Sequence, residues 1–125
     1  MIVDGLAYDG AVALKELPVL RERGVCCGLP EVDADWAQET AELMKALADP
    51  TRLTMIASLW KASEPICICD FTAGLDLSQS TISHHMSRLK EAGLVEAEKR
   101  GIWTYYRLQP DLAPATKKVL ARLIA

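Results

Sequence analysis

Leu77-Ser-Gln-Ser-Thr-Ile-Ser-His-His-Met-Ser-Arg-Leu-Lys-Glu-Ala-Gly-Leu-Val95 is the stretch that decides the fold. Ser78 is a natural N-cap and Gly93 a C-terminal stop, so the spacing predicts a helix running to about Ala92. At 100° per residue, Ser78, Ile82, Met86 and Leu89 gather on one side. Ser80, Thr81, His84, Ser87 and Arg88 gather on the other, with Ser83 at its margin and Gln79 at the border near the N-terminus. A DNA-reading helix needs this division: an apolar side that packs, and short donors and acceptors facing the major groove. Gln and Arg can bond purine edges, while Ser and Thr can bond phosphates or bases. The plainer alternative is a solvated helix face, but Ser and Thr are mediocre helix formers and an odd choice for one. His84 falls outward, toward DNA. His85 falls on the flank of the apolar side, where a packed, hydrogen-bonded role is expected. Adjacent histidines point about 100° apart, so the pair does not chelate one ion.

Working outward, Ile66 to Ala73 reads as a helix of about two turns, and Gly74-Leu75-Asp76-Leu77 as the turn that joins it to the reading helix. Upstream, Asp33 or Asp35 can cap a helix carrying Trp36, Thr40, Leu43, Met44 and Leu47 at helical spacing. Asp49-Pro50 restarts the chain, with Asp as N-cap and Pro at the first helical position, ahead of a stripe of Leu53, Ile56, Ala57 and Trp60. Downstream, Val95–Lys99 and Trp103–Leu108 flank Arg100-Gly101 as a β-hairpin. Lys99 and Arg100 at its tip, with Arg107 on the returning strand, suit phosphate contact, although solubility alone explains a charged tip. Pro114 to Ala125 is a final amphipathic helix, with Val119, Leu120, Leu123 and Ile124 on its apolar side. The predicted fold class is mainly α with a small β-hairpin, a winged helix-turn-helix over residues 33–125. Residues 1–32 form an N-terminal extension, with a short helix expected over Ala11–Arg23 and a loop around Cys26-Cys27.

The four cysteines fall into two tight pairs, Cys26-Cys27 and Cys67-x-Cys69. The 125 residues carry no apolar run long enough to span a membrane and no signal-peptide pattern, which predicts a cytoplasmic protein with reduced thiols. Paired cysteines there are expected as ligands more than as small core residues. Net charge is −3, but residues 1–50 hold 4 Lys/Arg against 10 Asp/Glu, whereas residues 51–125 hold 10 against 7. That asymmetry can set an acidic cap opposite a basic DNA face. No Gly-rich phosphate loop, paired-carboxylate cleft or Cys-x-x-Cys beside a βαβ unit is present, so an enzyme is not expected.

Several linked motifs resemble the ArsR/SmtB family of metalloregulatory repressors, in particular its arsenic-responsive branch. Ala46-Leu-Ala-Asp-Pro-Thr-Arg-Leu53 is similar to the entry into that family's second core helix. Cys67-Ile-Cys-Asp70 resembles its metal-box motif, Leu77–Met86 with Leu89–Val95 its recognition helix, and Gly101-Ile-Trp-Thr-Tyr-Tyr-Arg107 its wing. The likeness covers about residues 36–110. It implies a homodimer on double-stranded operator DNA, released when an ion binds. The vicinal Cys26-Cys27 resembles the N-terminal thiols of some members. One departure stands out: the founding arsenic pattern has a third cysteine where this chain has Thr72. A zinc site on the last helix is not expected either, because that helix has no His, Asp or Glu.

Thiolates select soft ions. Cys26, Cys27, Cys67 and Cys69 therefore fit As(III), Sb(III), Bi(III), Cd(II) or Pb(II) as effector, with no organic cofactor. Two residues apart on a helix point about 200° from each other, so an ion gripping both Cys67 and Cys69 is expected to deform the start of their helix. Alternatively, only one of the two binds, together with Cys26 and Cys27. The function expected is a repressor released by thiolate-bound As(III) or Sb(III). A Cd(II)/Pb(II)-responsive repressor and a thiol-redox regulator are the alternatives.

Overall fold

The computed structural model describes Gly24, Cys26 and residues 28–124. The helix expected over Ala11–Arg23 and the thiol of Cys27 lie outside the described residues. The chain divides into two units, residues 1–32 and Asp33–Ala125, and the elements of the second run α1 (Ala34–Leu47), α2 (Pro50–Lys61), β1 (Ile66–Cys67), α3 (Ile68–Leu75), α4 (Gln79–Glu91), β2 (Val95–Arg100), β3 (Trp103–Leu108) and α5 (Pro114–Ile124). No helix among the described residues is long and apolar enough to cross a membrane.

Local chemistry sets most of these boundaries. Asp33 caps α1 by accepting the Asp35 amide at 2.9 Å. Asp49 caps α2 by accepting the Arg52 amide at 3.0 Å, one residue before Pro50. Ser78 caps α4 through the Thr81 amide. That helix ends in a Schellman motif: the Leu94 amide reaches Leu89 O and the Gly93 amide reaches Lys90 O, each at 3.0 Å. Gly93 supplies the left-handed residue at φ 74°. Asp76 holds a second left-handed position, φ 53°, in the turn from α3 to α4, a conformation that Asp tolerates better than most side chains. In the hairpin, Gly101 at φ 65° is the first of two turn residues between Arg100 and Trp103, the type II′ pattern.

The reading helix packs as its periodicity predicts. Ile82, Met86 and Leu89 are fully buried against Met55 and Ile56 of α2, Ile68 and Phe71 of α3, and Leu94, Val95, Tyr106 and Leu120. The hairpin forms with Val95 opposite Leu108 and Arg100 opposite Trp103.

One expectation is corrected. Ile66 and Cys67 are not helical; they form β1, which pairs antiparallel with β3, Ile66 opposite Tyr106 and Cys67 opposite Tyr105. The sheet therefore has three strands in the order β1-β3-β2. A two-residue strand has no period of its own, and its pairing with a distant partner outweighs the local helical pattern. The helix starts one residue after Cys67 and runs on through Leu75.

Asp49 ties the α2 cap to acidity. The Arg52 amide bond is the largest influence holding its carboxyl below the usual 3.8; desolvation opposes it, and the Arg52 and His85 charges with the Thr51 amide add to the lowering. Its contribution to stability is complete above pH 3.8 and is lost as pH falls through the lower folded value. Asp49→Asn keeps a cap acceptor but removes the charge. Urea midpoints measured at about pH 5 and about pH 2.5 should fall further for the wild type than for this variant.

Candidate DNA-reading face and thiol site

The outward side of α4 carries the residues the sequence singled out. Gln79, Ser80, His84, Ser87 and Arg88 are exposed, and Thr81 and Ser83 are half-buried. Several hydroxyls are already engaged. Ser78 Oγ lies 3.1 Å from Ser80 Oγ and 2.9 Å from Thr81 Oγ1, and the Ser87 hydroxyl donates to Ser83 O at 2.9 Å. Gln79, His84 and Arg88 are exposed with no side-chain hydrogen bond within the described residues, so they project freely from this face.

At the wing, Lys99 and Arg100 are exposed. Arg100 donates to Glu98 at 3.1 Å and its guanidinium lies 4.7 Å from the Tyr105 ring centre. Arg107 is ion-paired with Glu96 on the neighbouring strand. Lys99 takes part in no ion pair among the described residues. The wing's free positive charge is thus Lys99, while Arg100 and Arg107 are largely compensated.

His85 is half-buried and its Nδ1 lies 3.3 Å from Arg52 Nη1. Arg52 also donates to Ala46 O at 2.6 Å and to Lys45 O at 3.4 Å. One side chain thus joins the last turn of α1, the first turn of α2 and the reading helix. Sequence reasoning placed His85 correctly but gave Arg52 no role. The arginine's reach across three helices leaves no periodic trace in the chain.

Cys67 and Cys69 meet at the junction of β1 and α3. Cys67 has extended backbone, φ −70° and ψ 145°, and is buried; Cys69 lies in the first turn of α3 and is exposed. Their sulfurs are 2.9 Å apart. The deformation expected for an ion gripping both thiols is therefore unnecessary: with only Cys69 in the helix, the 200° divergence of two helical residues does not arise. The hydrogen bond with the Cys67 thiol, then desolvation and the charges of Cys67 and Asp70, push the Cys69 thiol up from its ordinary value, opposed by the Asp70 amide. Thr72, in the place of the family pattern's third cysteine, donates its hydroxyl to Cys69 O at 2.8 Å. Among the described residues no cluster of at least three His, Cys, Asp or Glu side chains is disposed to hold a metal ion. Cys26 is exposed and belongs to the other unit, residues 1–32.

The thiol junction touches both elements that would meet DNA. β1 pairs with β3 of the wing, and α3 packs on α4. An open cavity of about 440 Å³ beside Cys69 is bounded by α3, by Gln79 at the start of α4, by Ile102 of the wing turn, and by Trp103 and Thr104 of β3.

Comparison with known proteins agrees with this architecture. Residues 49–97 match the family described as bacterial regulatory protein, arsR family. The chain is 40% identical over 86 residues to the uncharacterized HTH-type transcriptional regulator MJ1325 of Methanocaldococcus jannaschii, covering 69% of this chain and 96% of that one. It is also 40% identical over 79 residues to the arsenical resistance operon repressor of Escherichia coli, covering 63% of this chain and 67% of the relative. Among solved structures it resembles the homodimeric winged helix-turn-helix DNA-binding domain Mb0332 from Mycobacterium bovis, with TM-score 0.62, 26% identity, and coverage of 78% of this chain and 86% of that one. These relatives are regulators of transcription rather than enzymes. The chain belongs to the ArsR/SmtB family, and it is a winged helix-turn-helix transcriptional repressor of that family.

Proposed function

We propose that this protein binds operator DNA as a homodimer and is released when As(III) or Sb(III) is taken up by its thiols. The observation that carries the reading is the meeting of the Cys67 and Cys69 sulfurs, 2.9 Å apart, where the strand paired with the wing becomes the helix packed on α4. Soft trivalent ions prefer thiolate over oxygen donors. A pyramidal trithiolate takes its third sulfur from Cys26 or Cys27, the remaining cysteines of the sequence. Gln79, Ser80, Thr81, Ser83, His84, Ser87 and Arg88 read the major groove, and Lys99 and Arg100 meet phosphates. An ion that binds more tightly to the DNA-free arrangement of this junction shifts the equilibrium away from DNA, which is all that release requires.

Fluorescence anisotropy on a labelled operator, titrated with arsenite, Cd(II) and Zn(II), tests this reading. Release by near-stoichiometric arsenite supports it; tight binding that no ion relieves sinks it. Thiols are ordinarily protonated near neutral pH, which supplies a second discriminator. Arsenous acid condenses with thiols and releases water, so its affinity should stay flat between about pH 6 and about pH 8, whereas Cd(II) must displace protons, and its affinity should rise by about a decade per pH unit for each thiol it deprotonates. A steep pH dependence with Cd(II) release alone would assign the protein to Cd(II)/Pb(II). Close sulfurs also suit a thiol-redox switch, and release by diamide where arsenite has no effect would favour that reading.

Lys99→Ala should weaken operator binding uniformly across sequences and lower the slope of log affinity against log salt by about 1. Arg100→Ala should change the slope less, because Glu98 already pairs that charge. Equal slopes for wild type and Lys99→Ala would remove the wing from the interface.

A further inference from the structure

The wing ends in an apolar tip. Gly101 and Ile102 are the two turn residues between Arg100 and Trp103. Ile102 is 89% exposed, more than any other large apolar side chain described in Asp33–Ala125, and Trp103 beside it is 48% exposed. The other exposed large apolar side chains of this unit, Trp36, Met44, Leu53 and Leu123, belong to α1, α2 and α5. The tip carries little free charge. Arg100 pairs with Glu98 and Arg107 with Glu96, which leaves Lys99. It is also stiffly mounted. β2 pairs with β3 along its whole length, β1 braces β3 at Tyr105 and Tyr106, and Arg100 lies over the Tyr105 ring. Gln79, the first residue of the reading helix, borders the same open cavity as Ile102, Trp103 and Thr104. With α4 in a major groove, the tip faces the next groove along the duplex, which is a minor one.

We infer that Ile102 is a minor-groove wedge, pressing between two stacked base pairs beside those that α4 reads. This rests on the DNA-binding reading above and adds to it a specificity determinant that makes no hydrogen bond. An isoleucine offers no donor or acceptor to a base edge, so it distinguishes sequences only through the ease of opening the step beneath it. Pyrimidine–purine steps such as TA unstack readily, whereas A-tracts are stiff. Apolar side chains, isoleucine among them, serve as such wedges in minor-groove proteins. A wedge on a braced hairpin loses little freedom on binding, and Lys99 supplies a phosphate contact next to it.

The test uses the full-length reduced protein without effector, on operator duplexes in which 2-aminopurine replaces each adenine flanking the bases protected by α4, one at a time. Its fluorescence should rise at least twofold at one step per half-site when wild type binds. Ile102→Ser should abolish that rise and weaken binding by about tenfold, the loss usual for one wrong base pair, with an unchanged slope of log affinity against log salt because no charge is removed. Ile102→Met should restore both signals, which a merely structural role for the turn would not require. Changing that step to part of an A-tract should weaken wild type by a similar factor and leave Ile102→Ser within about twofold. Operator binding by wild type with no fluorescence change at any position would overturn the wedge and keep the operator reading; no operator binding at all would overturn both. A loss of dimer mass in Ile102→Ser would place the tip in a protein interface and likewise overturn the wedge.

Discussion

Cys69→Ser is expected to leave the protein on its operator at arsenite concentrations that release the wild type. Serine keeps the size of the side chain but offers an oxygen that competes poorly for a soft ion. Cys69 lies on the exposed side of α3, outside both the core and the outward face of α4, so affinity for DNA without effector should be unchanged within about twofold. Effector binding typically couples to a second site by roughly 5–150-fold in affinity, and the variant should lose essentially all of that change. Anisotropy titrations with and without arsenite give both numbers from one preparation. Cys67→Ser should behave in the same way, with a further loss of stability because Cys67 is buried among Ile68, Tyr106 and the rest of the core. If arsenite releases Cys69→Ser as readily as wild type, these two thiols are not the sensing site.

The second large effect concerns assembly. Leu123 on α5 is 63% exposed and lines a shallow groove with Leu53 and Ala57 of α2. Trp36 and Met44 are likewise exposed on α1. Large apolar side chains gathered in water on one chain mark surfaces that another chain covers. Leu123→Glu would bury a carboxylate in such an interface without a partner, and dimers should dissociate at micromolar concentration. Linking two half-site readers raises affinity by about 10²–10⁴ over one, so operator binding should fall by a comparable factor while the isolated fold survives. Sedimentation and light scattering report the mass, and circular dichroism reports the fold. A Leu123→Glu protein that stays dimeric and binds fully would place the interface elsewhere.

The elements legible in the sequence were those whose signals are local. Asp49-Pro50, Ser78 and Gly93 mark helix ends through caps and backbone conformations that only certain residues supply. Ile82, Met86 and Leu89 declare a buried stripe by their spacing, and all three are buried. The strand at Ile66-Cys67 was not legible, because its identity depends on Tyr105 and Tyr106 nearly forty residues away. That one misreading carried into the thiol geometry: treating Cys67 as helical separated two sulfurs that the strand-to-helix junction brings together. The cavity was hidden for the same reason. Gln79, Cys69 and Trp103 belong to three elements, and only tertiary packing sets them around one space.

The Arg52 clamp has a consequence for how far apart two reading helices sit. A dimeric helix-turn-helix protein must present its helices to grooves about one DNA turn apart, roughly 34 Å, and a misfit of a few ångströms loses one half-site. Arg52 fastens the corner between α1 and α2 to His85. Those two helices carry three of the large exposed apolar side chains, Trp36, Met44 and Leu53. Rotation of α4 is therefore geared to the helices that would set the distance between protomers. The half-site spacing the protein tolerates is therefore expected to depend on a guanidinium and an imidazole that join the helices, not only on the side chains of the outward face of α4.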